Sequence, residues 1–507
     1  MTMARDPSKP FRIVILGGGT AGWMAACLLA HHWREDNIEI QVIESSDVGI
    51  VGVGEGSTPQ FKAFFKTLGI PEAQWMPKCN ATYKNGISFH DWSSAAGCAS
   101  YFHPFPSPID AHTTPAFHFN SQLRRKGFDL AAHPDRFFLS AKLAQKQLAP
   151  LAAENFPFEI AYGYHFDAHL VGQFLAGHAA NLGVRRLDRK ITQVRIGENG
   201  RVESLVSSEN EAFSADFFID ASGFRGLILQ QALGVPFVQF RENLFNDSAV
   251  VMPTPRAARG LASATKAIAM RHGWRWDIPL TSRTGNGYVY SSDFCSPDEA
   301  ETELRTALGL LDSDVAARML KMRVGRVEKH WAGNCLAIGL SQGFIEPLEA
   351  TALHLVQSTI ETFIAKFAQG GFTNQHEREF NALINARFEG VRDYIVCHYK
   401  MNLRSDTPYW IENAANTKLS NSLAQIFACW FSGGDIREEV RRQDIARYYH
   451  DVSWCCLIGG YGQYPKDLRP PGPEEGRVDM AVIDDFVKRC ARNFPPHADA
   501  LGAMSPA

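Results

Sequence analysis

The sequence lacks an excess of charge, a cysteine-rich pattern and a long uninterrupted apolar segment. Its 507 residues include 51 basic and 54 acidic side chains, so the net charge is −3. This balance gives no reason to expect binding to nucleic acid or to an anionic membrane. The ten cysteines form no CxxC pair, which is typical of a reduced, cytoplasmic protein. The 41 glycines and 26 prolines are ordinary globular usage and exclude collagen-like and disordered chains.

One uncharged stretch, Ile13 to Ala30, imitates a membrane segment or a signal peptide. Four glycines interrupt it at positions 17, 18, 19 and 22, and such a cluster weakens a spanning helix. The stretch divides instead into an apolar run, a glycine-rich turn and an amphipathic run. This division predicts a strand, a loop and a helix.

That segment carries a dinucleotide-binding pattern. Phe11–Leu16 predicts a buried strand, Gly17–Gly22 reads GxGxxG, and Trp23–His32 has helical periodicity. Glycines at these positions allow a tight turn, a close approach to a pyrophosphate, and close packing of helix on strand. A second predicted strand, Ile38–Ile43, ends at Glu44, an acid suited to a ribose hydroxyl pair. The expected cofactor contacts here are Gly17, Gly19, Thr20, Ala21, Gly22 and Glu44.

Two later strands favour FAD over a nicotinamide cofactor. Phe217–Phe224 contains an apolar strand that ends in Asp-Ala-Ser-Gly, and Cys335–Leu340 contains another that is closed by glycine. An N-terminal GxGxxG followed by two such strands resembles the layout of FAD-dependent monooxygenases. The glycines at 459–462 precede Gln-Tyr-Pro, where no helix starts cleanly, so we expect no separate nicotinamide site.

Five further segments resemble the flavin-dependent tryptophan halogenases. Gly273–Pro279 contains the WxWxIP signature of that family, with Trp274 and Trp276 as its tryptophans. By spacing alone, these two side chains form one face of a half-buried strand; the resemblance implies a wall that shields the flavin. The other four segments, similar to the family's GVGE strap, lysine segment, PLEST segment and a late stretch, are Gly52–Pro59, Ala81–Gly86, Gly343–Thr351 and Asp406–Trp410.

The resemblance implies an α/β fold of the FAD-dependent monooxygenase (GR2-type) class, with an interwoven sheet and a mainly helical part that covers the substrate. The expected organisation is one compact unit with a discontinuous FAD-binding module at 11–370 (cofactor strands at about 11–44, 186–240 and 325–370, with inserted substrate-side segments), a helical substrate-covering part at 371–468, and a C-terminal segment at 469–507. Periodicity predicts helices over Glu377–Lys400, Asn421–Phe431 and Asp435–Tyr449.

The implied activity is that of a two-component halogenase using FAD as FADH2, with O2 and halide as cosubstrates. In the resembled family the reduced flavin and O2 give a hydroperoxide, which halide attacks to give hypohalous acid. The flavin carries this chemistry, and the protein supplies placement and water exclusion. A separate NAD(P)H-dependent flavin reductase is the expected partner, alongside a small aromatic substrate. The sequence is compatible with either a monomer or a homodimer.

The resemblance assigns Lys84 and Glu349 as catalytic residues. An isolated lysine before Asn-Gly is otherwise a solvated turn residue, and an acid before the helical run Ala350–Phe367 otherwise complements a helix dipole. In the family the lysine either hydrogen-bonds hypohalous acid or forms a haloamine, and both alternatives remain open here. Glu349 is expected to stabilise positive charge on the lysine or on the ring. Further flavin contacts are expected from Gly54, Glu55, Leu340 and Leu353.

Halide is expected at Thr351 and Ala352, bound by backbone N–H groups near a helix start. The sequence reads Pro-Leu-Glu-Ala-Thr-Ala, where the family commonly has Pro-Leu-Glu-Ser-Thr-Gly. Ala350 therefore lacks a hydroxyl donor, and Ala352 restricts the backbone relative to glycine. A weakened anion site favours bromide, which is easier to oxidise and to desolvate than chloride.

The expected substrate pocket contains His103, Phe105 and Trp454. Residues 444–465 match poorly the family segment that holds an amino-acid head group. We therefore expect indole or an indole derivative as substrate. The alternatives are an aromatic hydroxylase of the same fold, a strict tryptophan chlorinase, and a flavin-binding protein without activity.

Two patterns in the sequence resemble a metal site and a disulfide. His165-Phe-Asp167-Ala-His169 has metal-ligand composition but no third ligand nearby, so no metal is expected. Asp167 is expected to cap a helix over 168–180 instead. Cys455 and Cys456 are adjacent, which strains a disulfide, so two buried thiols are expected.

Overall fold

The computed structural model describes residues 9–47, 54–256, 260–472 and 478–504. Gly52 and Val53 of the GVGE segment lie outside the described residues, as do 473–477 and 505–507 of the expected C-terminal segment. The strands are β1 (Phe11–Leu16), β2 (Ile38–Glu44), β3 (Gly54–Gly56), β4 (Thr82–Lys84), β5 (Gly86–His90), β6 (Ser100–Pro104), β7 (Gly163–Asp167), β8 (Arg185–Asp188), β9 (Ile191–Ile196), β10 (Val202–Ser207), β11 (Ala212–Ser214), β12 (Phe217–Asp220), β13 (Phe237–Gln239), β14 (Ser248–Pro255), β15 (Thr265–Ala269), β16 (Gly273–Pro279), β17 (Arg283–Tyr290), β18 (Arg318–Lys321), β19 (Gly325–Val327), β20 (Trp331–Ala332), β21 (Cys335–Ala337) and β22 (Gly343–Phe344).

The helices of the same residues connect and cover these strands. They are α1 (Thr20–His32), α2 (Gln60–Thr67), α3 (Glu72–Trp75), α4 (Thr114–Arg125), α5 (Leu139–Gln145), α6 (Ala168–Asn181), α7 (Pro297–Leu308), α8 (Ala352–Gln369), α9 (Glu377–Lys400), α10 (Pro408–Ala415), α11 (Asn421–Phe431), α12 (Ile436–Gln443), α13 (Asp451–Gly460), α14 (Met480–Cys490) and α15 (His497–Gly502).

A mainly parallel sheet of order β20-β21-β12-β1-β2-β8 forms the base of the molecule, with only β20 antiparallel. Its strands come from distant parts of the chain, as parallel pairing requires crossover connections. Strand β1 is buried over its last four residues, and α1 packs against α6 and α8. The predicted strand–loop–helix over Ile13 to Ala30 is therefore confirmed, and no helix of the described residues is long and apolar enough to span a membrane.

Two smaller structures complete the frame of the site. A seven-stranded sheet of order β18-β14-β17-β16-β15-β5-β6 carries the tryptophans of WxWxIP on β16. A three-stranded sheet of order β3-β7-β4 pairs Gly56 and Thr82 with the same residue of β7, His165. This pairing places the strap segment and the strand that ends at Lys84 on either side of β7.

The helical predictions are confirmed at α9 and α11, whose bounds match the sequence expectation. The helix predicted over Asp435–Tyr449 is wrong in its second half. Helix α12 ends at Gln443 because Asp444 adopts a left-handed conformation with φ of 56°. The helix predicted to start at Ala350 begins at Ala352, since Ala350 is itself left-handed (φ 56°).

Candidate active site

A cavity of about 530 Å³ opens at the carboxyl edge of the parallel sheet, where ligands bind in α/β folds of this kind. Segments that follow β1, β2, β12 and β21 line one side, and β16 with the start of α8 lines the other. Of the flavin contacts expected from sequence, the lining residues are Gly17, Gly19, Thr20, Ala21, Glu44, Glu55, Leu340 and Leu353. Gly54 lies in β3 next to Glu55.

The glycine loop presents bare backbone to this cavity. Gly17 has a φ of 118°, and a side chain there would meet the Ala221 carbonyl. A Cβ on Gly19 would meet nothing within 4 Å, whereas one on Gly22 would lie 2.0 Å from the Gly17 carbonyl oxygen. Helix α1 has no side-chain cap, so its first N–H groups are free for an anion. The loop therefore fits a pyrophosphate, and Gly22 serves packing.

The acid at the end of β2 packs over the same loop. The Glu44 carboxylate occupies the space that a side chain on Gly18 would need, and it forms an ion pair with Arg186. Its position beside the glycine loop fits the contact with a ribose that the sequence predicts. Together with the free helix terminus, this residue fits the cavity to a dinucleotide.

A tryptophan wall closes the far side of the cavity. Trp274 and Trp276 are buried and line it. The Trp274 indole donates a hydrogen bond of 2.8 Å to Glu346, which also accepts from Tyr399 (2.6 Å) and Asn246 (2.9 Å). Burial raises the pKa of Glu346, and these hydrogen bonds oppose the rise. The carboxylate fixes the wall to α9, a role that sequence reasoning missed.

Lys84 lies behind the cavity wall. Its side chain is fully buried, and Nζ donates to the Ser57 carbonyl oxygen at 3.1 Å and lies 5.4 Å from the centre of the Phe105 ring. A Cβ on Gly56, which lines the cavity, would lie 3.2 Å from Nζ. Burial lowers the pKa of Lys84 to about 7, against the opposing effect of Glu349. The lysine thus stands between the cavity and an aromatic side chain.

Glu349 is a further buried carboxyl group of the site. It lies in a short turn, Pro347–Glu349, before α8, and its carboxylate accepts a 2.7 Å hydrogen bond from His398 Nε2. The other ring nitrogen of His398 is 2.8 Å from the Tyr461 hydroxyl. Burial raises the pKa of Glu349, whereas His103 and Lys84 lower it. No local sequence signal points to His398, because it reaches Glu349 from α9.

The start of α8 faces the cavity beside Glu349. Ala350, Ala352 and Leu353 line the cavity, while Thr351 is buried behind them. The first N–H groups of a helix have no acceptor within the helix, and the 18-residue length of α8 gives its dipole full effect. This terminus is a suitable anion site, in the place where the sequence predicts halide.

The residues expected to hold the substrate ring fall into two places. Phe105 lies beside Lys84, whereas His103 and Trp454 both contact Tyr394. The Tyr394 hydroxyl is 3.4 Å from His103 Nδ1, and its ring lies edge-on to Trp454 at 4.9 Å. Tyr449 stacks on Tyr394 at 3.5 Å. Tyr394 therefore connects two of the predicted pocket residues, His103 and Trp454, and the sequence analysis does not single it out.

The structure shows the contacts of the His165–His169 segment and of the Cys455-Cys456 pair. Asp167 caps α6 as predicted, accepting from the backbone N–H groups of His169 (3.0 Å) and Leu170 (3.3 Å). Cys455 and Cys456 are buried free thiols, which confirms that prediction. Both ring nitrogens of His165 are hydrogen-bonded to threonines. Among the described residues, no group of three candidate metal ligands occurs.

Comparison with known proteins decides the family. The tryptophan halogenase family model matches residues 12–473. The chain belongs to the tryptophan halogenase family. This halogenase is 36% identical to the tryptophan 6-halogenase SttH of Streptomyces toxytricini, over 98% of both chains. It is 34% identical to the tryptophan 7-halogenase RebH of Lentzea aerocolonigenes, over 93% of this chain and 92% of that one.

A solved structure extends the similarity to the fold. BrvH, a flavin-dependent halogenase from Brevundimonas sp. BAL3, superposes with a TM-score of 0.84 at 33% identity, covering 99% of this chain and all of that chain. The expected fold class is confirmed. The protein is a flavin-dependent halogenase, an enzyme that takes reduced flavin from a partner reductase.

Proposed function

We propose that this halogenase forms hypohalous acid in the cavity and uses it, at Lys84, to halogenate an electron-rich ring of the indole class, with bromide preferred. Bound FADH2 would supply the oxidant from O2 and halide. The observation that carries the proposal is the position of the buried Lys84 Nζ, between a cavity residue, Gly56, and the Phe105 ring. No substrate needs to reach the flavin in this arrangement.

The flavin-side residues would hold the cofactor and the halide. The free N-terminus of α1 and the glycine loop would bind the pyrophosphate, and Glu44 would bind the ribose. The start of α8 at Thr351 and Ala352 would bind the halide through backbone N–H groups. Leu340, Leu353 and the buried tryptophans would exclude water from the cavity that they line. Within the chain, we assign 11–370 to this flavin module and 371–468 to the substrate cover.

Lys84 and Glu349 would act on the halogen and on the ring. With a pKa lowered to about 7 by burial, Lys84 is available both as an ammonium donor and as a free amine near neutral pH. The Glu349 carboxylate, held by His398, would stabilise the positive charge that develops on the attacked ring. It would also accept the proton that the ring loses.

The substrate proposal rests on the head-group side of the pocket. Asp451 is the acid of the first turn of α13, and its carboxylate is committed to His118 Nε2 at 2.9 Å. An amino-acid ammonium would therefore share this carboxylate with His118 and would not meet an unpaired acid. The Trp454 indole N–H and the Tyr449 hydroxyl are buried without a partner among the described residues, and both are uncharged hydrogen-bonding groups.

A double competition tests this proposal. The enzyme is supplied with FAD, a flavin reductase, and equal bromide and chloride, with indole and tryptophan in parallel reactions. We expect brominated indole as the main product, at C3, because directed attack elsewhere requires a fixed pose. The relatives named as tryptophan halogenases make tryptophan the competing substrate. Predominant chlorotryptophan would contradict both halves of the proposal.

A further inference from the structure

A chain of three buried polar side chains runs behind Lys84. His165 Nδ1 lies 2.9 Å from the Thr82 hydroxyl, and His165 Nε2 lies 3.0 Å from the Thr265 hydroxyl. All three side chains are buried. They belong to three strands, β4, β7 and β15, so the chain forms only in the folded protein.

The direction of each hydrogen bond follows from the first one. The Thr82 hydroxyl donates to the Pro279 carbonyl oxygen at 2.7 Å, and a hydroxyl has only one proton to give. His165 Nδ1 must therefore be the donor toward Thr82. A neutral imidazole has one N–H, so Nε2 is an acceptor, and Thr265 donates to it. Burial, with lesser effects from Lys84 and His497, lowers the pKa of His165 well below its usual value, which keeps the ring neutral.

Because the Thr265 hydroxyl donates its proton to His165, its oxygen can only accept a further hydrogen bond. This oxygen lies at the cavity wall. The Thr265 side chain lines the cavity, and its hydroxyl oxygen lies 3.3 Å from the Cβ position of Gly56, next to Lys84 Nζ at 3.2 Å from the same point. Lys84 has N–H donors beyond the one given to Ser57. A donor, Lys84, and an acceptor, Thr265, therefore lie next to Gly56, where no side chain covers the cavity wall.

We propose that Thr265 is a binding residue for hypohalous acid, accepting its O–H while Lys84 donates to its oxygen, and that His165 is the positioning residue that fixes this polarity. The inference rests on the proposed function. Hypohalous acid offers one O–H donor and one acceptor oxygen, which match the two groups. Two directed hydrogen bonds would hold a small neutral oxidant beside Lys84 instead of allowing it to leave through the cavity.

Replacing Thr265 tests the proposal by how the oxidant is partitioned. Thr265→Val keeps the branched shape and removes the hydroxyl, whereas Thr265→Ser keeps the hydroxyl. With bromide, indole and external taurine as a trap for escaped hypobromous acid, we expect Val to raise the escaped fraction about threefold to tenfold, as loss of one hydrogen bond implies. The escaped fraction is expressed per FADH2 oxidised, and Thr265→Ser should behave like the wild type.

A matched control is Thr359→Val, which removes another buried threonine hydroxyl, bonded to the Leu355 carbonyl within α8. This variant should leave the escaped fraction unchanged. Equal escape from Thr265→Val and the wild type would overturn the inference and leave the halogenase proposal standing. A wild type that produces neither trapped hypobromous acid nor halogenated indole would overturn the proposed function, and the inference with it.

A second measurement uses the FAD-free protein and no turnover. Nitrogen-15 NMR of the His165 ring should show Nδ1 protonated and Nε2 as a hydrogen-bonded acceptor. In Thr265→Val the Nε2 resonance should move toward that of an unbonded nitrogen, and in Thr265→Ser it should return. A protonated Nε2 in the wild type would reverse the polarity of the chain and overturn the inference.

Discussion

The Lys84 amine is buried, and its contacts are a carbonyl oxygen and an aromatic ring. Folding therefore disfavours the protonated, charged form of this side chain. An unfolded lysine has a pKa of about 10.4, and burial lowers that of Lys84 to about 7. Between these two values the unfolded chain holds a proton that the folded protein lacks. This group therefore stabilises the fold more as pH rises from about 7 to about 10, and destabilises it most below pH 7.

The direction of this pH dependence gives the first prediction. Lys84→Met removes the buried amine at similar volume, so its Tm should exceed that of the wild type at pH 6.5, and the difference should shrink as pH rises to 9.5. Thermal unfolding of the FAD-free proteins at both values measures this. A wild type that is more stable than the variant at pH 6.5 would show that Lys84 is not a strained charge.

Glu349 gives the second prediction at this scale. Glu349→Gln keeps the shape and the contact with His398 but loses the charge, so we expect a loss of about tenfold to a hundredfold in the rate of halogenation. The loss should be incomplete, because the amide oxygen of glutamine still presents a partial negative charge to the positively charged ring. Product formed per unit time at equal FADH2 supply measures it, and an unchanged rate would contradict a role for the carboxylate.

At the scale of elements, the β1–α1 loop separates binding from packing in neighbouring glycines. A Cβ on Gly19 meets open space, whereas one on Gly22 collides with the Gly17 carbonyl. We predict that Gly19→Ala weakens FAD binding at least tenfold with an unchanged Tm of the FAD-free protein, because the methyl group enters the space for the pyrophosphate.

The neighbouring variant is the matched comparison. Gly22→Ala should lower the Tm of the FAD-free protein, since helix and strand must separate to admit the methyl group. FAD titration followed by flavin fluorescence, together with thermal unfolding, distinguishes the two effects. Equal losses of stability in both variants would contradict this division of roles.

The accuracy of the sequence predictions depends on how local each feature is. The bounds of β1, α9 and α11 follow from periodicity within each segment, and they were predicted correctly. The helix predicted over 435–449 ends at Gln443, because Asp444 has a left-handed backbone that periodicity does not encode. Within the site, Lys84 and Glu349 were reached through matched motifs.

The polar contacts around Lys84 and Glu349 join residues that are far apart in the sequence, so motifs could not predict them. His398 meets Glu349 across 49 positions of the chain, and His165 meets Thr265 across 100. Such contacts exist only once α9, β7 and β15 have packed, and each residue type is unremarkable in its own segment. Long-range packing therefore determines the polar surroundings of the lysine, whereas local sequence determines the elements that carry it.

At the scale of the whole molecule, distant parts of the chain converge on the strand of Lys84. The Tyr83 backbone N–H donates to His497 Nε2 of α15 at 3.0 Å, and His497 Nδ1 lies 3.1 Å from the Leu261 carbonyl oxygen. The C-terminal helix thus braces β4 from the side away from the cavity. Lys84 lies on this strand between Gly56, which lines the cavity, and the Phe105 ring.

We propose that halogen reaches the substrate only through Lys84. The most direct test of this proposal is the mass spectrum of the product from indole and bromide, for the wild type and Lys84→Met, with FADH2 supplied equally by a flavin reductase. We predict the bromine isotope doublet for the wild type. For the variant we predict at least a hundredfold less product, with FAD binding and FADH2 oxidation unchanged. Comparable brominated product from Lys84→Met would contradict it.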